Sequence, residues 1–230
     1  MQLLELEEPI VCRIVGRVNR FVVAVRAGGE ESLAHINNTG RLLEYIKGGK
    51  TGYCLPHRGK TRYRLIAVED IDGAALIDTQ LQMKSFEVAV QGKVLEWAQC
   101  DLISRSPEVG RSKLDYLLRC RGRETFTELK SAVLRQGDYA MYPDCPTPRG
   151  RRHIMELIEL SSSRVRTLLV FVAGLRGVKA FKPNTEGDPE VARLLKNAVS
   201  AGVVVKGFSI FYDPSGSRIL LDRKNLRIEI

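Results

Sequence analysis

The chain has 230 residues, 44% of them hydrophobic and 27% charged, a composition ordinary for a globular protein. Its 36 Lys plus Arg against 27 Asp plus Glu leave a formal net charge of +9. That excess favours polyanionic partners, nucleic acid before a membrane surface. The longest apolar runs, such as "TLLVFVAG" at 167–174, are too short to span a bilayer. The opening "MQLLELEEPI" has neither the basic nor the apolar stretch of a signal peptide. No membrane partner is expected, and the expected place is the cytoplasm.

Residues 10–69 read as short strands. "IVCRIVGRV" (10–18) and "FVVAVRA" (21–27) are separated by Asn19-Arg20, and "ESLAHI" (31–36) follows a Gly28-Gly29 turn. The segment "NNTGRLLEYIKGG" then predicts a helix. Asn38 or Thr39 would cap it, Leu42, Leu43 and Ile46 would form its apolar stripe, and Gly48 would end it. "TGYCLP" (51–56) and "TRYRLIAVE" (61–69) complete three strands, a helix and two strands. That is the order of an OB-fold, a five-stranded barrel used on nucleic acids. Basic and aromatic residues interleave along it, among them Arg17, Arg20, Phe21, Arg62, Tyr63 and Arg64. Aromatic faces can stack on bases while Arg holds phosphates, so these arginines are expected nucleic-acid contacts; the competing reading makes Phe21 and Tyr63 barrel core.

Five cysteines, at 12, 54, 100, 120 and 145, are odd in number and irregular in spacing, and no disulfide framework is expected. Cys54 and His57 have a spacing zinc can use, but no second ligand pair follows, and a plain turn is the favoured reading.

The barrel pattern stops near 70–78, which predicts two units, residues 1–75 and 76–230. "TQLQMKSFEVAV" (79–90) predicts a helix capped by Thr79. Strands are expected at 112–120, 124–135 and 138–142, and a helix over 147–163 opened by Thr147 and Pro148. The apolar run 166–174 reads as a strand covered on both faces. A helix over 187–202 with Asp188 as its cap, a strand at 203–212 and a short strand near 218–222 follow. Helix, three strands, helix, strand is a mixed α/β layer.

Asp115 falls on the first of these strands and Glu128 and Lys130 on the second, two apart and so on one face. Two carboxylates brought together repel unless a cation neutralises them. Mg²⁺ or Mn²⁺ does so through oxygen ligands, commonly one or two carboxylates plus phosphate oxygens. A Lys beside such an ion can orient or deprotonate a water and stabilise transition-state charge. The pattern therefore points to phosphodiester hydrolysis, with Asp115 and Glu128 as metal ligands and Lys130 as the third catalytic group. The bland alternative is an exposed cross-strand ion pair. "PRGRRH" follows at a helix start, where Arg149, Arg151, Arg152 and His153 oppose the helix dipole and call for an anion.

"GRVNRFVV", "AHINNTGRLLEYI", "LDYLL", "TELKSAVLR", "YPDCPTPRGRRHIMELIEL" and "AFKPNTEGDPEVARLLKNAVSAGV" together resemble the sugar fermentation stimulation protein family over nearly the whole chain. The resemblance implies an OB-like first domain, a second domain similar to PD-(D/E)XK nucleases, nonspecific DNA binding and a regulatory link to maltose and sugar metabolism. It places the nuclease-like motif on Asp115, Glu128 and Lys130, with Arg149, Arg151 and His153 at the next helix start. An acidic residue on the preceding helix completes some such sites, and Glu87 is the position available. An active Mg- or Mn-dependent DNA nuclease is the alternative to a binding protein, and an RNA-binding or RNA-processing protein is the further one.

Overall fold

A computed structural model describes residues 1–110 and 112–230 of the chain. The first element, β1 (Gln2–Glu5), stays outside the barrel that follows. That barrel is β2 (Ile10–Asn19), β3 (Val22–Ala27), β4 (Glu30–His35), β5 (Thr51–Pro56) and β6 (Tyr63–Asp70). The strands pair in the order β4-β3-β2-β5-β6, and β4 closes on β6 through Ala34 opposite Tyr63 and His35 opposite Arg64. This is the OB-like barrel that the strand order predicts. Alternation along β2 sends Cys12 and Ile14 inward and Val11, Arg13 and Val15 outward. Tyr63 is buried, whereas Phe21 is exposed.

The helix expected over 39–48 does not form; residues 36–50 are irregular, with turns at Leu42–Ile46 and Lys47–Lys50. Tertiary contacts override the local pattern. Leu42 sits at φ 52, a left-handed conformation that an α-helix cannot continue through. Its N–H is taken by the Asp144 carboxylate at 2.8 Å. Leu42 and Tyr45 still reach the core, but Leu43 faces solvent.

β7 (Gly73–Leu76) turns back on β6, and α1 (Thr79–Gln91) follows. Its cap is Asp78, one residue earlier than expected, which accepts the Leu81 N–H at 2.8 Å. Next come β8 (Cys100–Arg105), β9 (Glu108–Val109), β10 (Ser112–Lys113), β11 (Tyr116–Cys120) and β12 (Arg123–Ser131). The strand expected over 112–120 is thus broken: β10 pairs only with β9, and Asp115 lies at the entry to β11. The strand expected over 124–135 also splits, into β12 and β13 (Leu134–Gln136), which pairs with β14 (Tyr139–Tyr142) in a second sheet. α2 (Pro148–Ser162) and β15 (Arg166–Ala173) match expectation. β16 (Ala180–Pro183), α3 (Pro189–Ser200), β17 (Val204–Asp213), β18 (Arg218–Arg223) and β19 (Arg227–Ile228) complete the chain.

The second unit is built on antiparallel β8, β11 and β12, continued by parallel β15 and β17. With α1 before the three strands and α2 between β12 and β15, it has a helix, three strands, helix, strand order, but the three strands differ from those expected: β8 was not foreseen, and residues 138–142 lie in the second sheet as β14. Parallel β12 and β15 need the crossover that α2 supplies. β15 is buried over Thr167–Ala173 and apolar from Leu168 onward, as a strand covered on both faces must be.

The two units share backbone pairing. β7 bonds to β6 on one side and meets β17 on the other, with Ala74 opposite Tyr212. β1 pairs with β18. Cys100 and Cys120 lie opposite each other on β8 and β11 and form a disulfide. Spacing alone hid this pair, because only the register of the unforeseen strand β8 brings the two sulfurs together. Cys54 points into the barrel core against Cys12, with the sulfurs 3.4 Å apart. His57 bonds to Thr61 and stacks on His35. Among the described residues, no helix is long and apolar enough to cross a membrane.

Candidate active site between the barrel and the second sheet

A cavity of about 570 Å³ opens between the barrel and the second unit. Asp115, Glu128 and Lys130 line it, so the three residues singled out by spacing do converge. β12 positions two of them: alternation puts Glu128 and Lys130 on one face, with Leu129 between them on the other. Asp115, just before β11, is held by two bonds to β12. Its Oδ2 accepts the Leu129 N–H at 2.8 Å, and its N–H donates to Glu128 Oε2 at 3.3 Å.

Glu128 is the hub. Its Oε1 accepts from Lys130 Nζ at 2.5 Å and contacts His153 Nδ1. Lys130 Nζ lies 3.4 Å from the same His153 nitrogen. Glu128, Lys130 and His153 are only 2%, 8% and 3% exposed, which excludes the solvated surface pair. Burial pushes the Glu128 carboxyl up, but Lys130 and His153 outweigh it and hold the group below the usual carboxylate range. Burial pulls Lys130 down, and the Glu128 charge more than restores it, so the ammonium stays protonated. Burial and then the Glu128 charge push the Asp115 carboxyl up to about 6. Lys130 and His153 pull it down too, but too weakly to prevail.

The helix start behaves less uniformly than its charge suggests. Thr147 caps α2 by accepting the Gly150 N–H at 3.2 Å, and Arg149, Gly150 and His153 line the cavity. Arg149 Nε is 3.4 Å from His153 Nε2. Arg151 instead turns to Asp188, the cap of α3, with 2.8 Å between Nη2 and Oδ1. Arg152 bonds to Ser112. Of the barrel arginines expected to contact nucleic acid, Arg20 lines the cavity, beside Phe21, and Arg17, Arg62 and Arg64 do not. Arg62 pairs loosely with Glu30 at 3.5 Å, and Arg64 is bound to Asp78 and Gln80. Arg17 donates to four backbone carbonyls, those of Asn19, Arg20, Gly40 and Arg41. It ties the β2–β3 turn to the loop after β4.

Glu87 does not reach the cavity: its carboxylate is taken by Arg105 and by the Tyr116 hydroxyl. The cavity has further walls that no sequence pattern marks, namely Asn37, Gln82 and residues 141–147, from the end of β14 to the cap of α2. The polar run "INNTG" was a visible hint, but it reads equally as helix capping. Hard oxygen donors fit a divalent cation here, since Asp115 and Glu128 are adjacent and the Lys130 and His153 charges do not offset the penalty on Asp115. Among the described residues no cluster of three His, Cys, Asp or Glu side chains stands at the site. A cation retaining several waters, as Mg²⁺ does, suits two carboxylates.

Residues 15–77 match the SfsA N-terminal OB domain, and residues 80–216 match the sugar fermentation stimulation protein RE domain. The sugar fermentation stimulation protein homolog of Pyrococcus furiosus is 47% identical over 232 residues and that of Archaeoglobus fulgidus 48% over 231, with 100% of both chains covered in each case. The solved structure of Pyrococcus furiosus SfsA in complex with Ca²⁺ is 46% identical and superposes with a TM-score of 0.96, covering 100% of both chains.

Proposed function

The chain belongs to the sugar fermentation stimulation protein family, and from that premise we propose that it is a DNA-binding protein whose cleft hydrolyses phosphodiesters with a divalent cation. The observation that supports this most is the placement of Asp115, Glu128 and Lys130 at one end of a cavity that Arg20 and Arg149 also line. In this reading Asp115 and Glu128 hold Mg²⁺ or Mn²⁺, and the Ca²⁺ bound by the Pyrococcus relative is a hard cation of the same kind. The bound cation supplies Lewis-acid polarisation of a phosphoryl oxygen and a more acidic water.

The chain's own groups do the rest. Lys130 stays protonated beside Glu128, so its part is a fixed positive charge facing the developing phosphoryl charge, not a base. Arg149 at the start of α2 seats a phosphate through its guanidinium. His153 fixes Glu128 from behind and keeps its carboxylate turned towards Asp115. Residues 1–75 then serve as the nucleic-acid-binding unit and 76–230 as the nuclease-like one, and a regulatory effect on sugar metabolism would act through DNA.

Incubation with plasmid and single-stranded DNA in Mg²⁺ or Mn²⁺ tests the reading. Asp115→Asn and Lys130→Ala are expected to lose cleavage by about 10²-fold or more, while DNA binding persists. Cleavage that survives in both variants would falsify this assignment. A binding-only protein is the second reading, favoured by one observation: Glu128 is already neutralised by Lys130 and His153 without any metal. Metal-independent DNA binding with no cleavage in either metal selects it.

A further inference from the structure

The cavity has a second wall whose residues take no part in holding the cation. The tip of the β2–β3 hairpin places Arg20 and Phe21 on the barrel side of the same cavity that Asp115, Glu128 and Lys130 line. Phe21 is 47% exposed, so it is not barrel core. Nor is it a loose tip. The Phe21 N–H donates to Asn19 Oδ1 at 2.9 Å, and Arg17 clamps the carbonyls of Asn19 and Arg20 on one side and of Gly40 and Arg41 on the other. The Arg20 guanidinium stands 5.7 Å from the Phe21 ring centre. Asn37 lines the same wall; its Oδ1 accepts from Thr79, and its Nδ2 has no partner among the described residues.

A braced, half-exposed aromatic ring beside a guanidinium is the pair that holds unpaired nucleotides: the ring takes a base face and the cation a phosphate. In a duplex the base faces are covered by their neighbours. A ring looking into a phosphodiester pocket therefore meets a base only where a strand is single or splayed. The cavity, about 570 Å³, is of the size that holds one small ligand, not a double helix whose major groove alone is about 12 Å wide. We infer that the cleft takes a single-stranded DNA segment, with a base stacked on Phe21, its phosphate at Arg20, and the next phosphodiester directed at the carboxylates. Arg17 is a positioning residue for this platform. The inference rests on the nucleic-acid reading of the cleft but not on cleavage.

The test is therefore a binding measurement in EDTA, on the full chain, with a fluorescein-labelled single-stranded 12-mer DNA and the blunt duplex of the same sequence. The single strand is expected to bind more tightly. Phe21→Ala is expected to weaken that binding about 5- to 100-fold with little change on the duplex, and Phe21→Trp to preserve it. Ile71→Ala, an exposed apolar residue at a distant turn, serves as control and leaves both unchanged. An oligonucleotide with 2-aminopurine adds a direct readout, since its fluorescence is quenched by stacking in the unaltered chain and not in Phe21→Ala. Equal or tighter duplex binding, or a Phe21→Ala effect the same on both substrates, overturns the inference. Failure of metal-dependent cleavage alone leaves it standing.

Discussion

Asp115 is set between two burdens, partial burial and the Glu128 charge, and both push its carboxyl up to about 6. Raising a carboxyl from its ordinary value near 4 to about 6 is worth about 3 kcal/mol. The sign is unfavourable to the folded state. Above about pH 6 the folded protein carries a buried charge that the unfolded chain would solvate freely; below about pH 4 both states are protonated and the penalty vanishes. Asp115→Asn keeps an acceptor for the Leu129 N–H and removes the charge. In EDTA it is expected to melt higher than the unaltered chain at pH 7–8, by up to about 3 kcal/mol, with the gain fading towards pH 4. Thermal melts across pH measure this, and an unchanged melting temperature at pH 8 would show that the strain is absent. These residues were legible in the sequence because two-residue alternation fixes Glu128 and Lys130 to one face whatever the tertiary fold. Arg17 was not legible: its four acceptors are backbone carbonyls, two of them more than twenty positions away, and no residue type announces a carbonyl.

Elements with strong internal signals, such as α2, α3, β15 and β17, form where their patterns place them. The failures share a cause. The apolar spacing of Leu42, Leu43 and Ile46 fits a helix, but Asp144, about a hundred positions on, captures the Leu42 N–H and wins. β8 has too little alternation to stand out, and with it the disulfide to β11 was invisible. Close approaches between elements are equally silent in the sequence. At the end of β15, a Cβ on Gly174 would lie 2.2 Å from the Leu76 carbonyl, whose strand β7 passes alongside with the Leu76 N–H bonded to the Gly174 carbonyl. The clash is with backbone, so no side chain can swing away. Gly174→Ala is expected to cost about 1–3 kcal/mol, read as a lower denaturant midpoint. A midpoint within error of the parent would mean that β7 and β15 can separate freely.

Across the whole molecule, the net charge of +9 is only partly available to a polyanion. Arg17, Arg64 and Arg151 are occupied by internal partners, whereas Arg20 and Arg149 line the cleft. Contacts with about five phosphates would give log K against log salt a slope of roughly −4 to −5 on duplex DNA. A flat response in a salt titration would remove electrostatics as the source of binding.

β1 and β18 are paired through Gln2 opposite Leu220 and Glu5 opposite Arg218, with Met1 and Leu221 bonded in both directions. On the ribosome this makes the β1–β18 seam one of the last to close. At 5–20 residues per second, roughly 10 to 40 s separate the synthesis of Gln2–Glu5 from that of their partner strand. The barrel, whose strands all lie within Ile10–Asp70, can form early in that interval while Gln2–Glu5 wait unpaired. Vectorial synthesis thus leaves a short, partly apolar strand exposed until β18 emerges, and its brevity limits its capacity to recruit a neighbouring nascent chain.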